Sequence, residues 1–307
     1  RAINREAATE AVVLLKNTEA TLPLDAERIR KAAVVGPLAN TLYTDWYSGA
    51  LPYRVTVLDG LRDRLAAAEV SHEEGIDRIA LRTADGRYVT APTEPGALRA
   101  TTDPVERAAH FDVVDWGEGI VTLRAVANGR YVSFGPDRTL VNDAEQPHDW
   151  FVQQQFSLVP HGAGHVLRYA GNETDDSWFG DRVYVVVDET GLLTVTASAE
   201  ADATVFTREV VRDGVEEARR VARDADVAVV VVGSMPFING REDDDRTDLG
   251  LAPRQQELLE AVHGANPTTV LVLNNSYPTA ITWAQDHVPA IVWTTHAGAE
   301  TGNAVVD

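Results

Sequence analysis

Between residues 76 and 208 the chain repeats itself three times, and this limits the available folds more than any other feature. Leu81-Arg82-Thr83-Ala84-Asp85-Gly86-Arg87-Tyr88-Val89 returns as Leu123-Arg124-Ala125-Val126-Ala127-Asn128-Gly129-Arg130-Tyr131-Val132, and more loosely as Leu167-Arg168-Tyr169 continuing to Val183-Tyr184-Val185. Each copy leads to a stretch holding Leu98, Leu140 or Leu193, then to phenylalanines at Phe111, Phe151 to Phe156, or Phe206. Apolar and polar residues alternate between glycine and aspartate turns, the period of half-buried strands, and no helical pattern intrudes. Copies of about 42 to 50 residues imply pseudo-threefold symmetry.

Four strands per copy, closed so that no long edge is left, predict a twelve-stranded β-trefoil. The recurring Gly-Arg-Tyr-Val hairpins resemble the fascin-like branch of that fold rather than the ricin-like branch with its Gln-any-Trp signature. Such a unit can act as a carbohydrate- or protein-binding module, with Trp116, Trp150 or Trp178 stacking on a sugar face. The competing reading of these tryptophans is core filling or rim packing.

The flanking segments follow another rule. The opening reads as an amphipathic helix with Ala8, Ala11, Val12 and Leu15 on its apolar side, as if the chain began inside a longer polypeptide. A strand at Lys31–Gly36, an aromatic loop and a helix from Val57 to about Ala68 follow. After the repeats come a helix (Gly214–Asp224), a valine strand (Val227–Val232), an acidic loop, a helix (Arg254–Ala265), a strand (Thr269–Leu273), a further helix, a strand (Ala290–Thr294) and a helical end from Gly298 to Val306. Continuous apolar strands alternating with helices indicate a parallel sheet covered on both faces. The predicted fold class is therefore a discontinuous three-layer α/β sandwich over residues 1–75 and 209–307, with a mostly parallel sheet, interrupted by an all-β trefoil-like domain over residues 76–208.

Composition narrows the chemistry. With no cysteine, thiolate nucleophiles and thiolate metal sites are excluded. A net charge of −20 disfavours a nucleic-acid partner, since that affinity rests on clustered cations, whereas neutral sugars stay compatible. No apolar run is long enough to span a membrane, and no phosphate-cradling glycine motif follows Gly36-Pro37, which argues against a nucleotide site.

Two loops carry candidate chemistry. The loop Gly233–Leu249, which contains the turn Arg241-Glu242-Asp243-Asp244-Asp245-Arg246, directly follows the Val227–Val232 strand, and ligands gather at the carboxyl ends of parallel strands. Like-charged neighbours raise a carboxyl pKa while an arginine lowers it, so this cluster admits either a proton donor or a solvated surface. Asp45-Trp46-Tyr47-Ser48-Gly49 follows the first strand, and its aromatic pair suits either a sugar subsite or packing against another domain. His296 reads as a structural histidine, and Glu300 as a charge set against a helix dipole.

Motifs in order across both outer segments resemble the C-terminal domain of glycoside hydrolase family 3. They include Val13-Leu14-Leu15-Lys16-Asn17, Leu22-Pro23-Leu24, Ala33-Val34-Val35-Gly36-Pro37, Asp45-Trp46-Tyr47-Ser48-Gly49 and Val55-Thr56-Val57-Leu58-Asp59-Gly60-Leu61. Glu242, Asp245 and Arg246 match the family's Glu-Gly-any-Asp-Arg loop, followed by Leu249, Leu251, Pro253 and Gln255. Val270-Leu271-Val272-Leu273-Asn274 and Gly298-Ala299-Glu300-Thr301-Gly302-Asn303-Ala304 complete the series. The resemblance implies retaining, exo-acting hydrolysis of a β-linked oligosaccharide or aryl glycoside, of β-glucosidase or β-xylosidase type and without a cofactor. It also implies an aspartate nucleophile from an upstream (β/α)8 barrel, so that this chain alone is inactive. By motif position Glu242 is the acid/base, with Asp45, Trp46, Tyr47, Arg241, Asp245 and Arg246 at the substrate. Asp243 stands where the family has glycine, which leaves Asp243 and Asp244 open as alternative donors.

Overall fold

The computed structural model describes residues 1–102, 106–240 and 246–307. Two compact units divide the chain, Arg1–Ile76 with Asp213–Asp307, and Asp77–Arg212. The first segment contributes α1 (Ala2–Glu10), β1 (Val13–Asn17), β2 (Lys31–Val35), α2 (Val57–Arg64) and β3 (Glu69–Glu73). The all-β unit holds β4 (Asp77–Thr83), β5 (Tyr88–Thr90), β6 (Arg99–Thr101), β7 (Phe111–Asp115), β8 (Val121–Ala125) and β9 (Tyr131–Phe134). It continues with β10 (Leu140–Ala144), β11 (Phe156–His161), β12 (Gly164–Tyr169), β13 (Tyr184–Val187), β14 (Leu193–Ala197) and β15 (Val205–Arg212). The last segment adds α3 (Gly214–Arg223), β16 (Val227–Gly233), α4 (Pro253–Ala265), β17 (Thr269–Asn274), α5 (Thr282–His287), β18 (Ala290–Thr294) and α6 (Thr301–Val306).

In the α/β unit the sheet order is β1-β18-β17-β16-β2-β3, parallel except where β1 runs antiparallel to β18. Alternate residues of its strands face opposite ways. Val35, Val230, Val232, Leu271 and Ile291 pack on Val215, Ala218 and Ala222 of α3 and Leu258, Leu259 and Val262 of α4. Val229, Val270, Val272 and Val292 face the other side, toward Leu61 of α2, Leu65 just after it, and Ala304 and Val305 of α6. There a Cβ on Gly60 would strike the Gly302 backbone, and one on Gly302 the carbonyl of Thr56, so only glycines allow these helices to approach so closely. Helix α2 starts at a capping box, Thr56 Oγ1 accepting from the Asp59 amide at 3.1 Å and Asp59 Oδ2 from the Thr56 amide at 3.0 Å.

The opening departs from the expected single helix. Helix α1 stops at Glu10, and Val13 and Leu14 pair with Trp293 and Val292 at the sheet edge. Neighbouring strand hydrogen bonds outweigh the weak helical preference of β-branched Val12 and Val13. Helix α2 ends at Arg64, short of Ala68, and β3 follows as a further strand. With Val70 its one large apolar residue, β3 is a polar edge strand that no hydrophobic run announces. Glu300 stands at the N-cap of α6, where an acid faces the helix dipole, and it is also buried, bonded by Arg1 Nε at 2.8 Å and by Asn303 Nδ2.

In the all-β unit, six strands close on themselves, each antiparallel to the next: β4, β7, β8, β11, β12, β15 and back to β4. The other six form three hairpins, β5–β6, β9–β10 and β13–β14. Each hairpin attaches through the same residue pair of its repeat, Arg82 to Tyr88, Arg124 to Tyr131 and Arg168 to Tyr184. Backbone bonds from the Leu98 amide to the Leu140 carbonyl (2.8 Å) and from the Leu193 amide to the Leu98 carbonyl (3.3 Å) join the hairpins. The three leucines meet in one core with Ile79, Phe111, Phe156 and Phe206.

Candidate active-site edge

Pairing of Val232 with Leu273, Gly233 with Asn274 and Asn274 with Thr294 brings the carboxyl ends of β16, β17 and β18 level. Their loops therefore emerge side by side, where a parallel sheet gathers ligands. Gly233 (φ 151°) lets β16 end against the backbone of Asn274, and Gly36 (φ 119°) does the same for β2 against Val231.

The first residues after β16 are held at several points. Gln255 Oε1 accepts from the Gly233 amide at 2.8 Å, Ser234 Oγ donates to Asn275 Oδ1 at 2.6 Å, and Asn239 Oδ1 accepts from the Met235 amide at 2.9 Å. Phe237 lies under the Trp46 ring, centroids 4.6 Å apart at 61°, a T-shaped pair that ties the β2 loop to the β16 loop.

Tyr277, from the loop after β17, reaches both ends of the acidic turn. Its hydroxyl donates to the Gly240 carbonyl at 2.8 Å, and its ring lies 5.9 Å from the Arg246 guanidinium carbon. A Cβ on Gly240 would overlap that ring, so the approach requires glycine. Arg246 also donates to the Pro278 carbonyl, on the same loop. Arg241, Glu242, Asp243, Asp244 and Asp245 lie outside the described residues.

Around the edge, Asp45 Oδ1 accepts from the amides of Tyr47 (2.9 Å) and Ser48 (2.7 Å) and from the Ser48 hydroxyl (2.7 Å). Burial works to raise this carboxyl, but the Ser48 hydroxyl, the two amides and His296 outweigh it and hold it below the usual carboxylate range. Asp45 is thus ionised at neutral pH, an acceptor and turn anchor rather than a proton donor. Tyr47 is 80% exposed, whereas Trp46 is half-buried.

His296 joins three strand ends. Its Nε2 lies 3.1 Å from the Ser234 carbonyl, which only accepts, so the proton is assigned to Nε2. Nδ1 then accepts from the Ser276 hydroxyl at 2.7 Å. Burial pushes the imidazole below its usual range, against the opposing pull of the Ser234 carbonyl and Asp45, and the ring is neutral at pH 7. Asn275, Ser276 and Tyr277 escaped sequence reading, while Ser234 and Phe237 stood out only as members of the loop after the valine strand; the rule that chemistry collects where parallel strands end points to each. Among the described residues no cluster of three metal-ligating side chains exists, and no helix is long and apolar enough to cross a membrane.

The family model for the glycosyl hydrolase family 3 C-terminal domain matches residues 12–307, and the chain belongs to that family. It is 26% identical over 344 residues to a probable β-glucosidase H of Aspergillus clavatus, covering 100% of this chain and 40% of the relative. It is also 26% identical over 339 residues to a β-glucosidase of Rhizobium radiobacter, again covering 100% of this chain and 40% of that one. The chain thus spans 40% of the length of these relatives. Among solved structures, DesR, a β-glucosidase from Streptomyces venezuelae in complex with D-glucose, shares the fold at a TM-score of 0.55 and 21% identity, covering 99% of this chain and 36% of that one.

Proposed function

We propose that this chain is the acid/base-bearing portion of a retaining, exo-acting β-glycosidase of β-glucosidase or β-xylosidase type. The observation that carries this reading is Tyr277, which fastens Gly240 and Arg246, so that the acidic turn between them starts and ends at the sheet edge beside Trp46, Phe237 and His296. In the proposed mechanism an aspartate from an upstream (β/α)8 barrel attacks the anomeric carbon while Glu242 protonates the departing oxygen. Glu242 then serves as base to the incoming water, the two carboxyls lying about 5–5.5 Å apart across the sugar. Asp243 and Asp244 help keep the donor's proton by like-charge repulsion. Asp45, Trp46, Tyr47, Arg241, Asp245 and Arg246 contact the substrate around it. Because Asp45 is held ionised by its own turn, it accepts hydrogen bonds from sugar hydroxyls rather than competing for the donor role.

The test is Glu242→Ala in the full-length enzyme. Turnover of glycosides with poor leaving groups falls about 10²–10⁴-fold, the usual worth of general acid catalysis, while activated aryl glycosides lose far less. Equal and small losses on both substrate types rule the assignment out. The chain without its barrel is expected to be inactive on either.

We further infer that the Asp77–Arg212 unit is a β-trefoil of fascin-like type. The closed ring of six strands and the three hairpins attached through Arg82–Tyr88, Arg124–Tyr131 and Arg168–Tyr184 support this.

A further inference from the structure

The three copies of the all-β unit share their core but not their surface. Trp116, in the first copy, is built inward, 3% exposed, with Nε1 donating to Thr122 Oγ1 at 3.0 Å. Trp178 is 66% exposed and Trp150 46% exposed, both large aromatics on the outside of a unit whose other aromatics are mostly buried. Exposing an indole forfeits the stabilisation its burial would give, so an ordered exposed pair asks for a reason.

Order is what the surroundings supply. The Trp178 ring is held edge-on by Phe151 (5.8 Å, 62°) and Phe179 (6.1 Å, 72°). Phe179 continues inward to Tyr169 at 5.8 Å, and Tyr169 to the core residue Phe156 at 5.8 Å, so Trp178 ends an aromatic ladder rising from the core. The loop of Trp150 is tied to the loop of Trp178 by the Asn172 amide on the Phe151 carbonyl (2.7 Å), Gln155 on Asn172 (2.8 Å) and Gln153 on Glu173 (2.9 Å).

Glu173 adds a second kind of observation. It is 1% exposed, with Oε1 accepting from the Tyr169 hydroxyl at 2.6 Å while Oε2 is buried with no hydrogen-bond partner among the described residues. Burying a carboxylate so incompletely satisfied is destabilising. Glu173, bonded by Tyr169 and Gln153, thus ties the base of the Trp178 loop to the aromatic ladder beneath it.

We infer that Trp178, with Phe151 beside it and Trp150 next to Phe151 in the chain, is a binding site for a neutral β-linked oligosaccharide. Pyranose C–H faces stack on an exposed indole, and the hydroxyls around their rims find acceptors in Asp175, Asp176 and Asp181 of the same loop. The net charge of −20 rejects polyanions but not neutral glycans. The site gives the chain a hold on polymer that does not depend on turnover.

The test titrates the 307-residue chain with cellohexaose, laminarihexaose and xylohexaose, following tryptophan fluorescence. At least one sugar is expected to produce a saturable change, Trp178→Ala to weaken its affinity about tenfold or more, and Trp178→Phe to keep a large part of it. Thermal unfolding of each variant at the wild-type midpoint shows that the fold is intact. No saturable response up to about 10 mM with any of the three, or unchanged affinity in Trp178→Ala, overturns the inference. Because binding is read without hydrolysis, failure here and failure of the acid/base assignment are separate results.

Discussion

The two units handle polar groups in opposite ways. In the α/β unit the central strands β2, β16, β17 and β18 are apolar on both faces, and the side-chain network of Ser234, Asn275, Ser276, Tyr277 and His296 is gathered at one end of the sheet. In the all-β unit charges are spread round the closed ring: Asp112 with Arg78 and Arg124, Asp77 with Arg208, Glu209 with Arg82. A parallel sheet has one end where loops converge, so function is found by direction. A pseudo-symmetric ring has no privileged end, and function is found where symmetry fails, at residues such as Trp178 that the other copies lack.

The contrast can be broken at its strongest point on the ring. Asp112 is bonded by Arg78 Nε at 2.8 Å and Arg124 Nη2 at 3.2 Å and is almost fully buried. Burial works to raise its carboxyl, but both arginines outweigh it and hold it below the usual range. Asp112→Ala removes the carboxylate that two arginines share and is expected to destabilise the unit by about 3 kcal/mol, toward the low end for buried pairs because both arginines reach water. Urea unfolding followed by tyrosine and tryptophan fluorescence measures this, and a loss below about 1 kcal/mol would show that the ring does not need its charges.

At the sheet edge the expected stability effects are smaller and the functional ones larger. Tyr277→Phe removes one hydrogen bond to Gly240 and is expected to lower stability by about 1 kcal/mol. On the proposed function Tyr277 acts through the acidic turn rather than on the sugar, so in the full-length enzyme the variant is expected to lower kcat for poor leaving groups with KM little changed. A change confined to KM would place Tyr277 at the sugar instead.

The smallest effect concerns His296. Its imidazole is held below the usual range when folded, so the unfolded chain binds a proton more readily, and stability rises with pH up to about 6.5 and is lost as pH falls below it. His165 and His263 shift the same way through burial. The His296 share is therefore the difference between wild type and His296→Gln, about 1 kcal/mol or less between about pH 5 and 7. A difference that grows with falling pH in the other sense contradicts the neutral Nε2–H assignment.

How much of this was legible depended on burial. Strands buried on both faces declare themselves as unbroken apolar runs, which is why β16, β17 and β18 and the helices between them stood out in the sequence. Edge strands do not: β3 is nearly all polar, and Val13 and Leu14 of β1 fit the helical period that precedes them. The Asp45–Gly49 loop and residues 241–246 stood out in the sequence as dense clusters of polar and aromatic side chains, and residues 241–245 of the second lie outside the described residues. Ser276 and Tyr277 did not stand out, and His296 was legible only as a structural histidine, because each is an ordinary polar residue until strand register sets it beside its partners.

Strands β4 and β15, the first and last of the closed ring, lie side by side, with Arg78 opposite Arg212. The all-β unit thus leaves the host chain and returns to it at one seam, between Ile76 and Asp213. A guest whose two ends already touch spans no distance in its host and adds little to the entropy of closing the gap. Such a graft is reversible in principle: excised at the seam, it returns the host to a short turn between β3 and α3.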